Sequence, residues 1–249
     1  MDITGKISST VQLRDGHSIP HEITVISEHI LTVIVNERPI YRLVCTKDHL
    51  RELVTGRLYT DGIIESKDDI ERLYFCRYEN EVSVFLKNDI IWEEKIATEL
   101  TCCTGNKQYT LTGKDRVIRN PAKYDIDPEW VFKLADEFGK DAKLHGLTGG
   151  NHICILAREG RSEFICEDIG RHNAVDKAVG YALYNDIPLD GCMLFTSGRV
   201  PVDMVEKVIA AGIPVLISKS VPTLQSVELA GEYGLTLICR AWPDKYERL

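Results

Sequence analysis

Apolar positions along this chain fall into short runs whose period changes from segment to segment, and the period predicts the elements. Ile30 to Val35 and Tyr41 to Cys45 are rich in β-branched residues and flank Asn36-Glu37-Arg38-Pro39, which predicts a β-hairpin. The stretch 47–64 changes to helical spacing, with Leu50, Leu53, Val54 and Leu58 on one face and a stop near Asp61-Gly62. Val82, Val84 and Leu86 then alternate as in a half-buried strand. Gly105-Asn106 interrupts the following segment, and a polar, proline-containing stretch runs on to Tyr124. That stretch is the expected boundary between a mixed α+β portion, residues 1–124, and an α/β portion, residues 125–249.

The second portion is more regular. Asp127 stands as an N-cap before Pro128, and Trp130, Val131, Leu134 and Phe138 form an apolar stripe behind it. Strand-like runs at 152–157, 163–169, 192–197, 213–218 and 235–239 then alternate with helical patterns beginning near Asn173, Val202 and Leu224. Such alternation predicts a parallel sheet with right-handed crossovers, an α/β fold. No internal repeat is evident.

Composition narrows the function. The 249 residues are 44% hydrophobic and 27% charged, the balance of a globular protein with a sizeable core. The start of the chain is polar and charged, and no apolar run approaches bilayer length, which predicts a cytoplasmic location with no membrane partner. In that compartment the eight cysteines are expected to be reduced, and Cys154, Cys166 and Cys192 sit in apolar runs as small hydrophobes. Only Cys102 and Cys103 stand in a polar, loop-like context. A net charge of -8 argues against a general nucleic-acid partner, so any anionic ligand must be held by a local cluster of cations.

Such a cluster is predicted where ligands bind in α/β sheets, beyond the carboxyl ends of the strands. Three loops there are unusual: Gly170-Arg171-His172-Asn173, Ser197-Gly198-Arg199 and Lys219-Ser220. Helix N-termini offer free N–H groups, and Arg171, Arg199 and Lys219 add full charges, a combination suited to phosphate or pyrophosphate. The pair Gly149-Gly150 reads as a turn, and His152 and His172, each taken singly, read as ordinary packed histidines. No Walker-type or GxGxxG loop is present, which disfavours a nucleoside triphosphatase or a dinucleotide dehydrogenase.

TGGNHICIL (148–156), EDIGRHNAVDKAVG (167–180), SGRV with AAGIPVLISKS (197–220) and VPTLQSVELA (221–230) occur in an order and spacing that resemble the formate dehydrogenase accessory (FdhD) family. VIVNERPIYRLVCT (33–46) and TGRLYTDGIIESKDDI (55–70) extend the resemblance over nearly the whole chain. The resemblance implies a sulfur carrier. Family members take sulfur from a cysteine desulfurase as a persulfide and pass it to the bis-molybdopterin guanine dinucleotide form of the molybdenum cofactor, for formate dehydrogenase. It also implies a cytidine-deaminase-like larger domain, a homodimer, and binding of guanine nucleotides as mimics of the cofactor's ends. The cofactor-binding candidates become Gly149, Gly150, His152, Asp168, Arg171 and His172, joined by Ser197, Gly198, Arg199, Lys219 and Ser220. Asp168, His172 and Asp176 would orient the loop or bond the ligand, although Asp176 and Lys177, on a helix, also read as structural.

Two segments depart from the family pattern. A family loop like Ser-Cys-Gly-x-Cys-Gly-Lys, aligned on Lys107, puts Cys102 in the first cysteine position, Cys103 in place of glycine, and Gly105 in the second cysteine position. Cys102 is the expected persulfide carrier, with Cys103 as its partner, although adjacent cysteines close only a strained ring. The competing reading is a noncatalytic chaperone that binds the cofactor without relaying sulfur. The tail reads Cys239-Arg240-Ala241-Trp242-Pro243-Asp244-Lys245 where the family has a Gly-Phe-x-Arg-Gly-x-Arg-like segment. Arg240 and Lys245 keep positive charge there, and Trp242 is placed to stack on a guanine or pterin or to pack. A zinc deaminase is disfavoured, because neither His-x-Glu nor Pro-Cys-x-x-Cys occurs.

Overall fold

The computed structural model describes residues 3–88, 90, 119, 121, 123–138, 140 and 142–249. The chain opens with a two-stranded antiparallel ribbon, β1 (Thr4–Gln12) and β2 (Ser18–Ile26), which the polar start of the sequence concealed. Next come β3 (His29–Val35), β4 (Arg38–Cys45), helix α1 (Leu50–Thr60), β5 (Ile70–Phe75) and β6 (Glu81–Leu86). These strands form a four-stranded sheet in the order β4-β3-β6-β5. The expected β3–β4 hairpin is present, and its turn residues Asn36 and Glu37 take φ of 45° and 66°, the primed turn that matches strand twist.

The rest comprises α2 (Pro128–Glu137), α3 (Lys143–Thr148), β7 (His152–Arg158), β8 (Arg161–Asp168), α4 (Arg171–Tyr184) and β9 (Met193–Thr196). It continues through α5 (Val202–Ala211), β10 (Val215–Ser218), α6 (Leu224–Tyr233), β11 (Thr236–Trp242) and β12 (Lys245–Arg248). Asp127 does cap α2, its carboxylate accepting from the Glu129 N–H at 3.0 Å. The six strands lie in the order β12-β11-β10-β9-β7-β8. The expectation of a parallel sheet is corrected here. β9, β10 and β11 are parallel, but β7 runs against both of its neighbours and β12 runs against β11. The reason is the Glu159-Gly160 link between β7 and β8, with φ of 47° and 69°: two residues close a hairpin and are far too few for a crossover.

Two apolar clusters flank the six-stranded sheet. Cys154, Leu156 and Leu216 face the larger one, which runs through α4 and α1 into Leu31, Val33, Val82 and Val84 of the four-stranded sheet. Ile153, Ile155, Phe195 and Ile217 face the other way and pack under Val131 and Leu134 of α2. Helices α1 and α4 meet almost backbone to backbone. A Cβ at Gly56 would lie 1.8 Å from the Asp176 carbonyl oxygen, and one at Gly180 would lie 1.9 Å from that of Glu52. Polar side chains bridge the same seam: Thr60 of α1 donates to Asp176 of α4 at 2.8 Å, and Arg57 Nη1 lies 3.8 Å from the Asp176 carboxylate, while Lys207 of α5 donates to Asp176 at 2.7 Å. Among the described residues no helix is long and apolar enough to cross a membrane.

Candidate functional site

Because β7 is antiparallel to both β8 and β9, strands β8, β9, β10 and β11 all point the same way. Their carboxyl ends therefore open on one edge of the sheet, together with the amino end of β7. The three loops singled out from the sequence emerge there as expected, although the sheet is mixed. From β8 to β11 is four strand spacings, about 19 Å at ~4.8 Å each.

At one end of this edge, Asp168 is fully buried and acts as a structural hub. One carboxylate oxygen accepts from the Gly170 N–H at 2.8 Å and from Asn173 Nδ2 at 2.9 Å, fixing the turn into α4. The other accepts from the Thr46 N–H and hydroxyl, both at 3.1 Å, and lies 2.8 Å from Lys177 Nζ. Burial opposes the charge on Lys177, yet Asp168 and Asp48 outweigh it and hold the ammonium above its ordinary pKa. Asp168, Asn173, Asp176, Lys177 and Gly180 of the long motif thus face inward, and Gly170, Arg171 and His172 are its outer part.

Arg171 opens α4 at this edge. Its stem packs over Gly198, where an added Cβ would lie 3.1 Å from Arg171 Cβ and 3.2 Å from Cδ. Its Nε and Nη2 are buried and find no hydrogen-bond partner among the described residues. A buried cation left this way is costly unless a ligand completes it. His172 lies 2.9 Å from the Asp203 carboxylate in the first turn of α5. Burial pushes the Asp203 carboxyl up, but His172 and Arg171 outweigh that and hold it below the ordinary carboxylate value. His152, at the start of β7, has Nδ1 3.2 Å from Ser197 Oγ, and burial, Arg171 and His172 lower its pKa. The Ser197 hydroxyl oxygen also accepts from the Ile153 N–H at 3.1 Å.

Gly149 and Gly150 border the same edge by their backbones. Gly149 ends α3 in the left-handed region, φ 61°. Glu167, on β8, holds the start of α3 by accepting from the Leu144 N–H at 3.0 Å and the His145 N–H at 2.6 Å. Further along, Lys219 lies between two rings, 4.9 Å from the Phe138 centroid and 4.6 Å from that of Trp242, and burial lowers its pKa. The Ser220 N–H donates to Ser218 Oγ at 2.9 Å, which keeps that loop tight. Arg199 is exposed. Arg240, at φ 47°, bonds Glu247 at 2.9 Å. Trp242, Lys245, Tyr246 and these two line a cleft of about 260 Å³ at the far end of the edge.

The structure therefore gathers Arg171, His172, His152, Ser197 and Gly198 into one cluster and Lys219, Trp242, Arg240 and Lys245 into a second along the same edge. Cys102 and Cys103 lie outside the described residues. Sequence reasoning missed Asp203, Glu167 and Phe138, which position His172, α3 and Lys219. Asp203 and Glu167 stand in the family-like segments themselves, whereas Phe138 carried no signal beyond its place in a helical stripe.

A sequence profile of the FdhD/NarQ family matches residues 26–247. The chain is 31% identical to a protein of Streptomyces avermitilis named sulfur carrier protein FdhD, over 92% of this chain and 87% of that one. A Bacillus licheniformis protein of the same name is 31% identical over 90% of this chain and 87% of its own. In three dimensions the fold matches a crystal structure from Desulfotalea psychrophila described as a candidate formate dehydrogenase accessory protein, with a TM-score of 0.81, 24% identity, and coverage of 100% of this chain and 97% of that one. The chain belongs to the FdhD/NarQ family.

Proposed function

We propose that this protein is a sulfur carrier that takes persulfide sulfur from a cysteine desulfurase and delivers it to the bis-molybdopterin guanine dinucleotide molybdenum cofactor, its substrate, before the cofactor enters formate dehydrogenase. The reading places it in the cytoplasm as a homodimer. The observation that carries it is the pair of buried Arg171 nitrogens, Nε and Nη2, which find no hydrogen-bond partner among the described residues, with Lys219, Arg199, Arg240 and Lys245 spaced along the same edge. A phosphate on Arg171 would meet the N-terminus of α4 as well, and the edge is long enough to accept an extended, pyrophosphate-bearing ligand. Trp242 presents a ring, 43% exposed, on which a guanine or pterin would stack beside that charge.

In the sulfur step, the Cys102 thiolate attacks the outer sulfur of the donor persulfide. The new S–S bond forms as the donor's breaks, and the desulfurase cysteine leaves as its thiolate, with no net change of oxidation state. Release of Cys102 as its thiolate passes on sulfur at the zero-valent level, so the two electrons that make it a sulfido ligand would come from a reduced molybdenum centre of the substrate. The compression of the family's cysteine pair to Cys102-Cys103 favours a second reading, a chaperone that binds the cofactor without sulfur transfer. Intact-protein mass spectrometry after incubation with a cysteine desulfurase and cysteine separates the two. A gain of one sulfur atom that is lost in Cys102→Ala and kept in Cys103→Ala supports the carrier. Absence of transferable sulfur, with guanine nucleotide still bound, establishes the chaperone instead.

A further inference from the structure

We propose that His152 and Ser197 form a proton-operated donor switch for an oxyanion held at Arg171, so that the site takes up a proton as it binds. The inference rests on the phosphate-binding reading given above and names the residues that couple that site to protons. Ser197 Oγ stands between two nitrogens, 3.1 Å from the Ile153 backbone N–H and 3.2 Å from His152 Nδ1. The amide can only donate, so Oγ is its acceptor. The switch requires the neutral ring to be the Nε2–H tautomer: Nδ1 is then bare, and the one hydroxyl hydrogen of Ser197 is committed to the ring and withheld from any ligand. When the ring is protonated, Nδ1–H donates to Oγ, which then accepts from two N–H groups and turns its own O–H outward.

The surroundings decide which state prevails. Burial comes first in keeping the empty site's ring neutral, followed by the positive charge of Arg171, then by His172 from the same helix α4, and by a smaller push from His145 of α3. Asp168, at the end of β8, opposes them. Its charge is shared with Lys177, and Asp203 of α5 is engaged with His172. An oxyanion bonded to Nε and Nη2 of Arg171, which have no partner among the described residues, offsets the positive charge that adds to burial in holding His152 neutral and supplies a negative charge beside the ring. The ring then protonates, Ser197 releases its hydroxyl hydrogen toward the anion, and the imidazolium adds its own charge. Linkage gives the sign: the bound form holds more protons, so affinity falls as pH rises through the histidine range.

Inorganic sulfate is the probe, because it stays a dianion throughout that range and adds no titration of its own. Sulfate binding to the full chain, followed by isothermal titration calorimetry in buffers of different ionisation enthalpy, reads the number of protons taken up. Wild type should take up a fraction of one proton and lose affinity by up to about tenfold per pH unit across the histidine range. His152→Gln should still bind at neutral pH with no uptake and a flat profile. Ser197→Ala should retain the uptake while binding less tightly at low pH, and Ser197→Thr, which restores the hydroxyl, should recover the affinity. Sulfate binding without proton uptake, or uptake that persists in His152→Gln and so belongs to His172, overturns the switch and leaves the phosphate site standing. Absence of sulfate binding to wild type overturns both the switch and the phosphate site, while the persulfide assay on Cys102 stands independently.

Discussion

Replacing Arg171 with methionine should stabilise the empty protein and abolish its affinity for phosphate, two effects of opposite sign from one substitution. The Nε and Nη2 atoms are buried without a partner among the described residues. Leaving a buried polar group unsatisfied costs about 1–3 kcal/mol, with charged groups toward the upper end. Methionine keeps most of the aliphatic stem that packs over Gly198 and removes the charge, so packing losses are small. Asp203 loses the nearby charge of Arg171 but keeps His172 at 2.9 Å, so part of the gain is returned. A net stabilisation of about 1–2 kcal/mol follows, and for a chain of this length that raises Tm by roughly 2–8 °C. Thermal unfolding followed by circular dichroism, without ligand and then with excess sulfate, reads both effects. Wild type should gain stability from sulfate by mass action, and the variant should not. A Tm for the empty variant equal to or below that of wild type would refute the reading of Arg171 as an unsatisfied cation. A sulfate-induced rise that survives the substitution would remove Arg171 from the site.

Two other substitutions test the seam beneath the site. Gly180→Ala places a Cβ 1.9 Å from the Glu52 carbonyl oxygen, so α1 and α4 must separate by about 1 Å to reach even the tightest contact real side chains show. That separation stretches the buried contacts of Asp176 with Thr60 and Arg57 as well, and urea titration should show a loss of about 3 kcal/mol or more, with a loss under about 1 kcal/mol sinking the argument. Asp168→Asn should also destabilise, by about 3–5 kcal/mol, because it leaves the fully buried Lys177 ammonium with only Asp48 to balance it. A neutral or stabilising result in the same titration would refute the reading of Asp168 as the counter-charge that holds Lys177.

The elements with strong periodicity and defined ends were legible in the sequence. The β3–β4 hairpin was announced by its turn residues, and α2 by Asp127 and Pro128. The ribbon of β1 and β2 was not, because its strands are largely exposed and a polar stretch on both faces carries little alternation. The direction of β7 was misjudged because apolar runs report that strands exist and not which way they point; only the shortness of the Glu159-Gly160 link carried that information. The reversal happens to leave the site intact. β8 to β11 still share a direction, so the loops bearing Arg171, Arg199 and Lys219 still share an edge. What sequence could not separate was the face each motif residue takes. Asp168 and Arg171 are three positions apart, and one is fully buried among four partners while two nitrogens of the other find none among the described residues.

That division within a single motif explains why the segment 167–180 is chemically so dense. Its inner residues weld α4 to α1: Asp168 and Lys177 bind the end of β4 through Thr46, Asp176 joins Arg57 and Lys207, and Gly180 lets the backbones touch. A helix held this firmly at its middle has little freedom at its first turn, and Asp168 and Asn173 lock that turn directly. Arg171 therefore projects from a fixed point, and the cost of its unsatisfied charge cannot be relieved by letting the helix start fray or rotate toward water. A site prepared in this way binds an oxyanion without moving its backbone, since that ordering was completed when the chain folded. The buried charges of the seam and the unpaired charge at the edge are thus two ends of one device, and a substitution that loosens the seam should weaken anion binding even though it touches no ligand.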